Sequence, residues 1–210
     1  MSKTQFAELI AHQMSSHDLK GFGVAVSGGG DSIALLVLLA RYAKQTGIAL
    51  HAISVDHGLR DGTDAELRLV SAQCAKLDVP HTVVHWTGWN GAGNLQSTAR
   101  DARYDLIAKW AKTHDIDVVA LGHTADDQAE TLLMRMARGA GVDGLAAMAF
   151  ASQRHGVTLL RPLLGVARED LRDLLRQENM TWAEDPSNEN RDFERIWMRD
   201  ALKALAPLGL

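Results

Sequence analysis

Short apolar, β-branched runs alternate along the chain with longer stretches in which apolar residues return every three or four positions. That alternation predicts a parallel sheet covered by helices. The runs predict strands over Phe22–Ser27, Ala49–Asp56, His81–Trp86, Asp117–Gly122 and Val157–Arg161. Helical spacing fills the gaps over Thr4–Met14, Ser32–Gln45, Thr63–Leu77, Leu95–His114, Ala125–Arg138 and Arg168–Glu178. The expected fold is α/β and doubly wound, a five-stranded parallel sheet with helices on both faces. Residues 1–160 would carry that sheet, and 161–210 would add a helical extension of the same domain. In such sheets ligands bind beyond the carboxyl ends of the strands, so the loops after the first, second and fourth strands are where chemistry is expected.

Composition narrows the picture. A chain of 210 residues, 46% hydrophobic and 23% charged, fits one domain with a full core and excludes disorder, coiled coil and collagen. No apolar run reaches the roughly 18 residues of a membrane span, and MSKTQFAELIAHQM lacks the apolar block of a signal peptide, so a cytosolic protein with no membrane partner is expected. The lone Cys74 can form no internal disulfide and no paired-cysteine metal site, and it reads as a small buried apolar residue. With 22 basic and 26 acidic side chains the net charge is -4, so a polyanion would have to be met by a local patch.

The strongest chemical signal is Ser27-Gly28-Gly29-Gly30-Asp31-Ser32, set between Gly-Val-Ala-Val and Ile-Ala-Leu-Leu-Val-Leu-Leu. Glycines let the backbone turn and bring amide N–H groups against an anion, and the helix start behind them adds its positive dipole end. The turn has neither a Walker lysine nor the G-x-G-x-x-G spacing of a dinucleotide fold, and it suits a pyrophosphate that leaves. The bland alternative is a tight turn capped by Ser32 or Asp31.

Two further loops are polar. Val55-Asp56-His57-Gly58-Leu59-Arg60 follows the second strand, a weak signal taken alone. Gly122-His123-Thr124-Ala125-Asp126-Asp127-Gln128-Ala129-Glu130-Thr131 follows the fourth, and a helix starting near Thr124 puts His123, Asp127 and Glu130 on one face. Two convergent carboxylates suit Mg2+ or a cationic amine; zinc would want a third ligand. Asp126 can be explained by the helix dipole alone. Arg191, Arg195 and Arg199 recur every four residues, a like-charged stripe eased by a polyanion or by Asp192, Glu194 and Asp200.

The Ser-Gly-Gly-Gly-Asp-Ser turn resembles the PP-loop of the N-type ATP pyrophosphatases, which split ATP between the α and β phosphates. Val-Asp-His-Gly-Leu-Arg, Gly-His-Thr-Ala-Asp-Asp-Gln-Ala-Glu-Thr and Met134-Arg-Met-Ala-Arg-Gly-Ala-Gly141 resemble one branch, the tRNA(Ile)-lysidine synthetases. Ala99–Tyr104, Arg161–Leu164 and Asp185–Asn188 add to the likeness, which runs from about Phe22 to Arg199. The resemblance implies ATP and Mg2+ as substrate and cofactor, and L-lysine and tRNA(Ile) as partners. The reaction implied is adenylation of C2 oxygen of the wobble cytidine, then displacement of AMP by the lysine ε-amine.

Carried onto this chain, the likeness implies ATP contacts at Ser27, Gly28, Gly29, Gly30, Asp31, Ser32, Asp56 and His57, with Asp31 near Mg2+. It implies catalytic roles for Asp31, Arg103, His123 and Asp127, and recognition of lysine by Asp127 and Glu130. Beside this segment the stripe Arg191, Arg195 and Arg199 reads as a tRNA phosphate contact. Members carry C-terminal domains that grip the acceptor stem, and the chain stops at Leu210. The family's Arg-Asn-x-x-Arg is Arg195-Ile196-Trp197-Met198-Arg199 here, without the asparagine. Monomer and homodimer are both open. The rivals are a tRNA-thiolating enzyme, which would want paired cysteines, the GMP, NAD and asparagine synthetase domains, which lack the acidic stretch, and a nucleotide-binding module without chemistry.

Overall fold

A computed structural model describes residues 1–15, 19–58, 63–88, 95–184 and 194–205, with the side chains at 96 and 195 outside the description. The elements in chain order are α1 (Lys3–Met14), β1 (Gly21–Ala25), α2 (Gly30–Thr46), β2 (Ala49–Asp56), α3 (Thr63–Lys76), β3 (His81–His85) and α4 (Leu95–Thr113). There follow β4 (Val118–Leu121), α5 (Ala125–Ala137), a 3-10 turn (Val142–Leu145), β5 (Ala151–Arg154), β6 (Val157–Leu160), α6 (Arg168–Gln177) and α7 (Glu194–Leu205).

The sheet has six strands in the order β3-β2-β1-β4-β6-β5. Five are parallel, as the apolar runs predict; Val24 pairs with Ala52 on one side and Ala120 on the other. The sixth, β5, is a correction to the expected five: it runs antiparallel to β6 at the sheet edge. Ala-Ser-Gln-Arg carries no β-branched residue and is largely exposed, so it lacks the apolar signature of a buried strand. Its hairpin closes through His155 and Gly156, both at positive φ, the backbone that a two-residue turn requires.

α2 explains the layering. Every residue from Ser32 to Leu39 is buried, so this helix must be covered on both sides. The sheet covers one side, and α1 and α6 pack on it from outside. Phe6, Ile10 and Met14 of α1 and Leu171, Leu174 and Leu175 of α6 join α2 and the sheet in one core. Cys74 lies buried there, its thiol pushed up to about 11 by burial, as a small apolar residue would sit. The opposite face forms a second core, in which Tyr104, Ile107, Trp110 and Ala111 of α4 pack on Ile53, Val119, Leu121 and Leu159. Among the described residues no helix is long and apolar enough to cross a membrane.

β1 lies between β2 and β4, so the chain leaves it in one direction along the sheet and returns on the other side. The loop after β1 therefore opens at the switch point, where a doubly wound sheet leaves a crevice.

Candidate active site

The glycine turn closes around hydroxyls. Ser27 N donates to Ser32 Oγ at 3.2 Å, and Ser32 Oγ donates to Gly29 O at 2.8 Å. Gly28 sits at φ +97°, where a side chain would be strained. α2 starts earlier than the apolar pattern suggests, at Gly30, with Gly29, which has no side chain to cap with, as its N-cap. Ser32 therefore closes the turn from within, as the capped-turn alternative expects, while the first-turn amides of α2 keep the geometry that suits an anion. Gly122, at the end of β4, brings a second backbone against this turn: a Cβ there would lie 3.0 Å from Ser32 Cα. Trp182 lies over Gly30, and Ala183 N donates to Gly28 O at 2.9 Å. That clasp comes from a segment in which the sequence showed no signal.

The acidic side is built on α5. Thr124 is its N-cap, and Asp127 closes a capping box, accepting from Thr124 N at 2.8 Å and Thr124 Oγ1 at 3.0 Å. Asp127 is thereby held rigid and buried. Glu130, one turn on, has no exposed surface. Asp126 accepts from the backbone N–H of Arg168 at 2.8 Å, at the start of α6, and its other oxygen lies 4.0 Å from the Arg168 guanidinium.

Arg168 sits at the centre of these acids, and sequence reasoning missed it. Its Nε donates to Asp31 at 3.0 Å, while Nη2 lies 3.4 Å from Asp127 and Nη1 3.5 Å from Glu130. One guanidinium thus ties the phosphate turn to the acidic helix start. Burial raises the Asp31 carboxyl above its ordinary value, Arg168 opposes that, and Asp127 and Asp126 add to the rise. The acids around Arg168 raise its own value despite burial. A faint signal existed: arginine at the first position of a helix opposes the dipole and calls for nearby acid.

Arg199, the last residue of the expected stripe, donates its Nε–H to Glu130 at 2.6 Å. A carboxylate with no exposure needs charge compensation, and that requirement decides where the guanidinium of α7 goes. Arg191 and the side chain of Arg195 lie outside the described residues, as do Leu59, Arg60 and Asp185–Asn188.

His123, after β4, is the most perturbed imidazole: burial lowers it to about 4, Asp127 pulls it upward, and Arg161, Arg103 and Arg100 push it down. It is neutral near pH 7, and its buried Nδ1 has no hydrogen-bond partner. Arg103, on α4, acts electrostatically on His123 and also on His57, so it stands between the loops after β4 and β2. Asp56 is engaged locally, accepting from Gly58 N at 2.9 Å and lying 3.1 Å from His85 Nδ1. His57 packs edge-on to Trp86 with ring centroids 5.9 Å apart. The structure therefore brings Asp31, Asp127 and Glu130 together through Arg168, and Arg103 and His123 beside them. Asp56 and His57 lie at the end of the next strand.

No group of three or more His, Cys, Asp or Glu that could hold a metal is found among the described residues. Asp31, at the mouth of the glycine turn, is a hard oxygen donor of the kind that suits Mg2+.

A glycine turn at the switch point, facing an acidic helix start, defines an α/β phosphate-loop domain. The chain belongs to the PP-loop domain family, whose model matches residues 2–205. It is 53% identical over 206 residues to the tRNA(Ile)-lysidine synthase of Ruegeria pomeroyi, covering 97% of this chain and 49% of that one. It is 47% identical over 188 residues to the enzyme of the same name from Rhodopseudomonas palustris, covering 89% and 54%. The chain thus spans about half the length of these relatives. Two solved structures share the fold. A U34-tRNA thiolase from Methanococcus maripaludis has a TM-score of 0.82 at 21% identity, covering 96% of this chain and 72% of that one. An NH3-dependent NAD synthetase from Campylobacter jejuni has a TM-score of 0.60 at 16% identity, covering 98% and 82%.

Proposed function

We propose that this domain catalyses the adenylation and amine-transfer steps of tRNA(Ile)-lysidine synthesis. The observation that carries the proposal is the convergence, through Arg168, of the glycine turn with the buried acids Asp127 and Glu130. The relatives' name supplies the substrates, and these two features supply places for ATP and for an amine.

In the first step, C2 oxygen of the wobble cytidine attacks the α-phosphorus of ATP. An O–P bond forms and pyrophosphate leaves toward the first-turn amides of α2. Asp31 would hold a Mg2+, which would supply counter-charge for the leaving group. In the second step the lysine ε-amine attacks C2, the C–O bond to AMP breaks, and the amine sheds a proton. Asp127 and Glu130 gather the lysine cation beside the adenylated base, with Arg199 yielding its place on Glu130. Arg103 offsets charge that develops on the phosphate. His123, neutral near pH 7, orients the base or amine by hydrogen bonding without adding positive charge. Cys74, buried with its thiol pushed up to about 11, offers the rival thiolation reading no reactive sulfur.

The test is incubation of the domain with ATP, lysine and tRNA(Ile), following AMP and RNA-linked lysine. AMP should require tRNA, and lysine should appear on the RNA. Release of AMP without RNA, or none with it, would overturn the reading. Asp31→Ala should abolish AMP release. Glu130→Gln should raise the lysine KM by about tenfold or more, the worth of a hydrogen bond to a charged group, while adenylation continues. An unchanged lysine KM would remove Glu130 from amine recognition.

A further inference from the structure

We propose that the face of α4 beside the β5 edge is a docking surface for the phosphodiester backbone of the RNA substrate. The guanidinium carbons of Arg100, Arg103 and Arg154 lie 5.4, 5.4 and 5.3 Å from the centroid of one ring, that of Tyr104. The three charges therefore share a patch no wider than twice that distance. Arg161, buried at the end of β6, adds a fourth charge, anchored through Nη1 to Ala149 O at 2.9 Å and Ser152 Oγ at 3.1 Å. Its field reaches Tyr104 together with those of Arg100 and Arg103, and all three lower the phenol.

Among the described residues the acid paired with this group is Asp101, 3.8 Å from Arg154 and mostly exposed. Such a surface pair contributes little. Four like charges against one loose aspartate, in a chain of net charge -4, need an anion from elsewhere. Tyr104 is itself buried, so its ring serves as a platform that holds guanidinium planes in place by cation–π contact.

The anion that the exposed Arg100 and Arg154 call for is not the ATP phosphate chain, which Arg103 alone of the group is proposed to meet. The glycine turn opens α2, which packs on one face of the sheet, whereas Tyr104 and α4 belong to the core on the other face. The patch lies close to the cleft instead, because the charges of Arg100, Arg103 and Arg161 act through space on His123. This inference rests on the function proposed above, in which a nucleotide of an RNA chain enters the cleft at His123. The phosphates flanking that nucleotide must leave over a neighbouring surface. Guanidinium forks match phosphate oxygens two at a time, so a row of arginines along the exit suits a phosphodiester chain better than scattered carboxylates.

The test uses the chain as it stands, titrated into a fluorescently labelled tRNA(Ile) transcript and read by anisotropy over a salt series. Arg100 and Arg154 are the residues to change, since neither is assigned to the chemistry. Relative to the parent, the double variant R100Q/R154Q should bind about tenfold more weakly at low salt. Its log Kd against log salt should be shallower by about 1.4 to 1.8, the share of two lost phosphate contacts. R100K/R154K should restore the slope, and ATP binding measured calorimetrically without RNA should be unchanged. Circular dichroism checks folding; should the double variant lose its helical signal, R100Q and R154Q alone should each show about half the slope change.

An unaltered affinity and slope would overturn the proposal, as would absence of transcript binding by the parent at low salt. Polyglutamate displacing the chain as well as unlabelled transcript would assign the patch to an acidic protein instead. Lost ATP binding in the variant would assign it to the nucleotide. Lysine transfer is scored separately: transfer with an unchanged slope sinks the surface alone, and binding without transfer sinks the function alone.

Discussion

Two charged regions flank the cleft, and they are balanced in opposite ways. On the α5 side, Asp31, Asp127 and Glu130 converge on Arg168, and Arg199 adds a second guanidinium to Glu130. On the α4 side, Arg100, Arg103, Arg154 and Arg161 gather about Tyr104 with one exposed aspartate beside them. The first region is largely buried, and its carboxylates need guanidinium partners to fold, because a desolvated carboxylate without a partner costs several kcal/mol. In the second, Arg100 and Arg154 border solvent, where water screens repulsion cheaply and an unbalanced charge can be kept for a partner. Burial therefore obliges the acids of the first region to be paired inside the protein, whereas exposure lets Arg100 and Arg154 go without an internal partner of their own strength.

That contrast can be broken most directly at Arg168. Replacing it by alanine strips three carboxylates of their shared guanidinium and should cost about 3 kcal/mol in urea unfolding. A variant as stable as the parent would show that the acids are balanced some other way. Gly122→Ala should cost about 1 to 3 kcal/mol by forcing a Cβ against Ser32, and should weaken ATP binding by displacing the turn.

His123 lies between the two regions and offers a pH test. Its imidazole is held near 4 when folded against an ordinary 6.5, so the unfolded chain binds more protons between those values. Stability should hold above pH 6.5 and fall as pH drops toward 4, and His123→Gln should remove part of that fall. The smallest effect belongs to the basic wall. R100Q/R154Q should change unfolding stability by less than about 0.5 kcal/mol, since exposed charges contribute little. A large loss would place the arginines in the fold rather than in binding.

Much of this was legible in the residues. Five parallel strands announced themselves as apolar or β-branched runs, β1, β2, β4 and β6 because they are largely buried, and the glycine turn was visible between strand and helix. Thr124, Asp127 and Glu130 fall within seven residues, so helical spacing alone aligns them. β5 went unseen because an edge strand with one solvated face needs no apolar run. Trp182, clasping Gly30 from far along the chain, leaves no local pattern. Nor could spacing tell that Arg199 turns inward to Glu130.

What the chain's residues determined by themselves is the local grammar: which segments become strand or helix, where the backbone must turn on glycine, and which acids open α5. Those properties depend on neighbours within a few positions, so they can be read in order. Only the tertiary structure decided the electrostatic pairing. Asp31 and Arg168 stand 137 positions apart, and Glu130 and Arg199 stand 69 apart. Coulomb forces and desolvation act through space, so the partner of a buried charge is settled by which segments the core draws together.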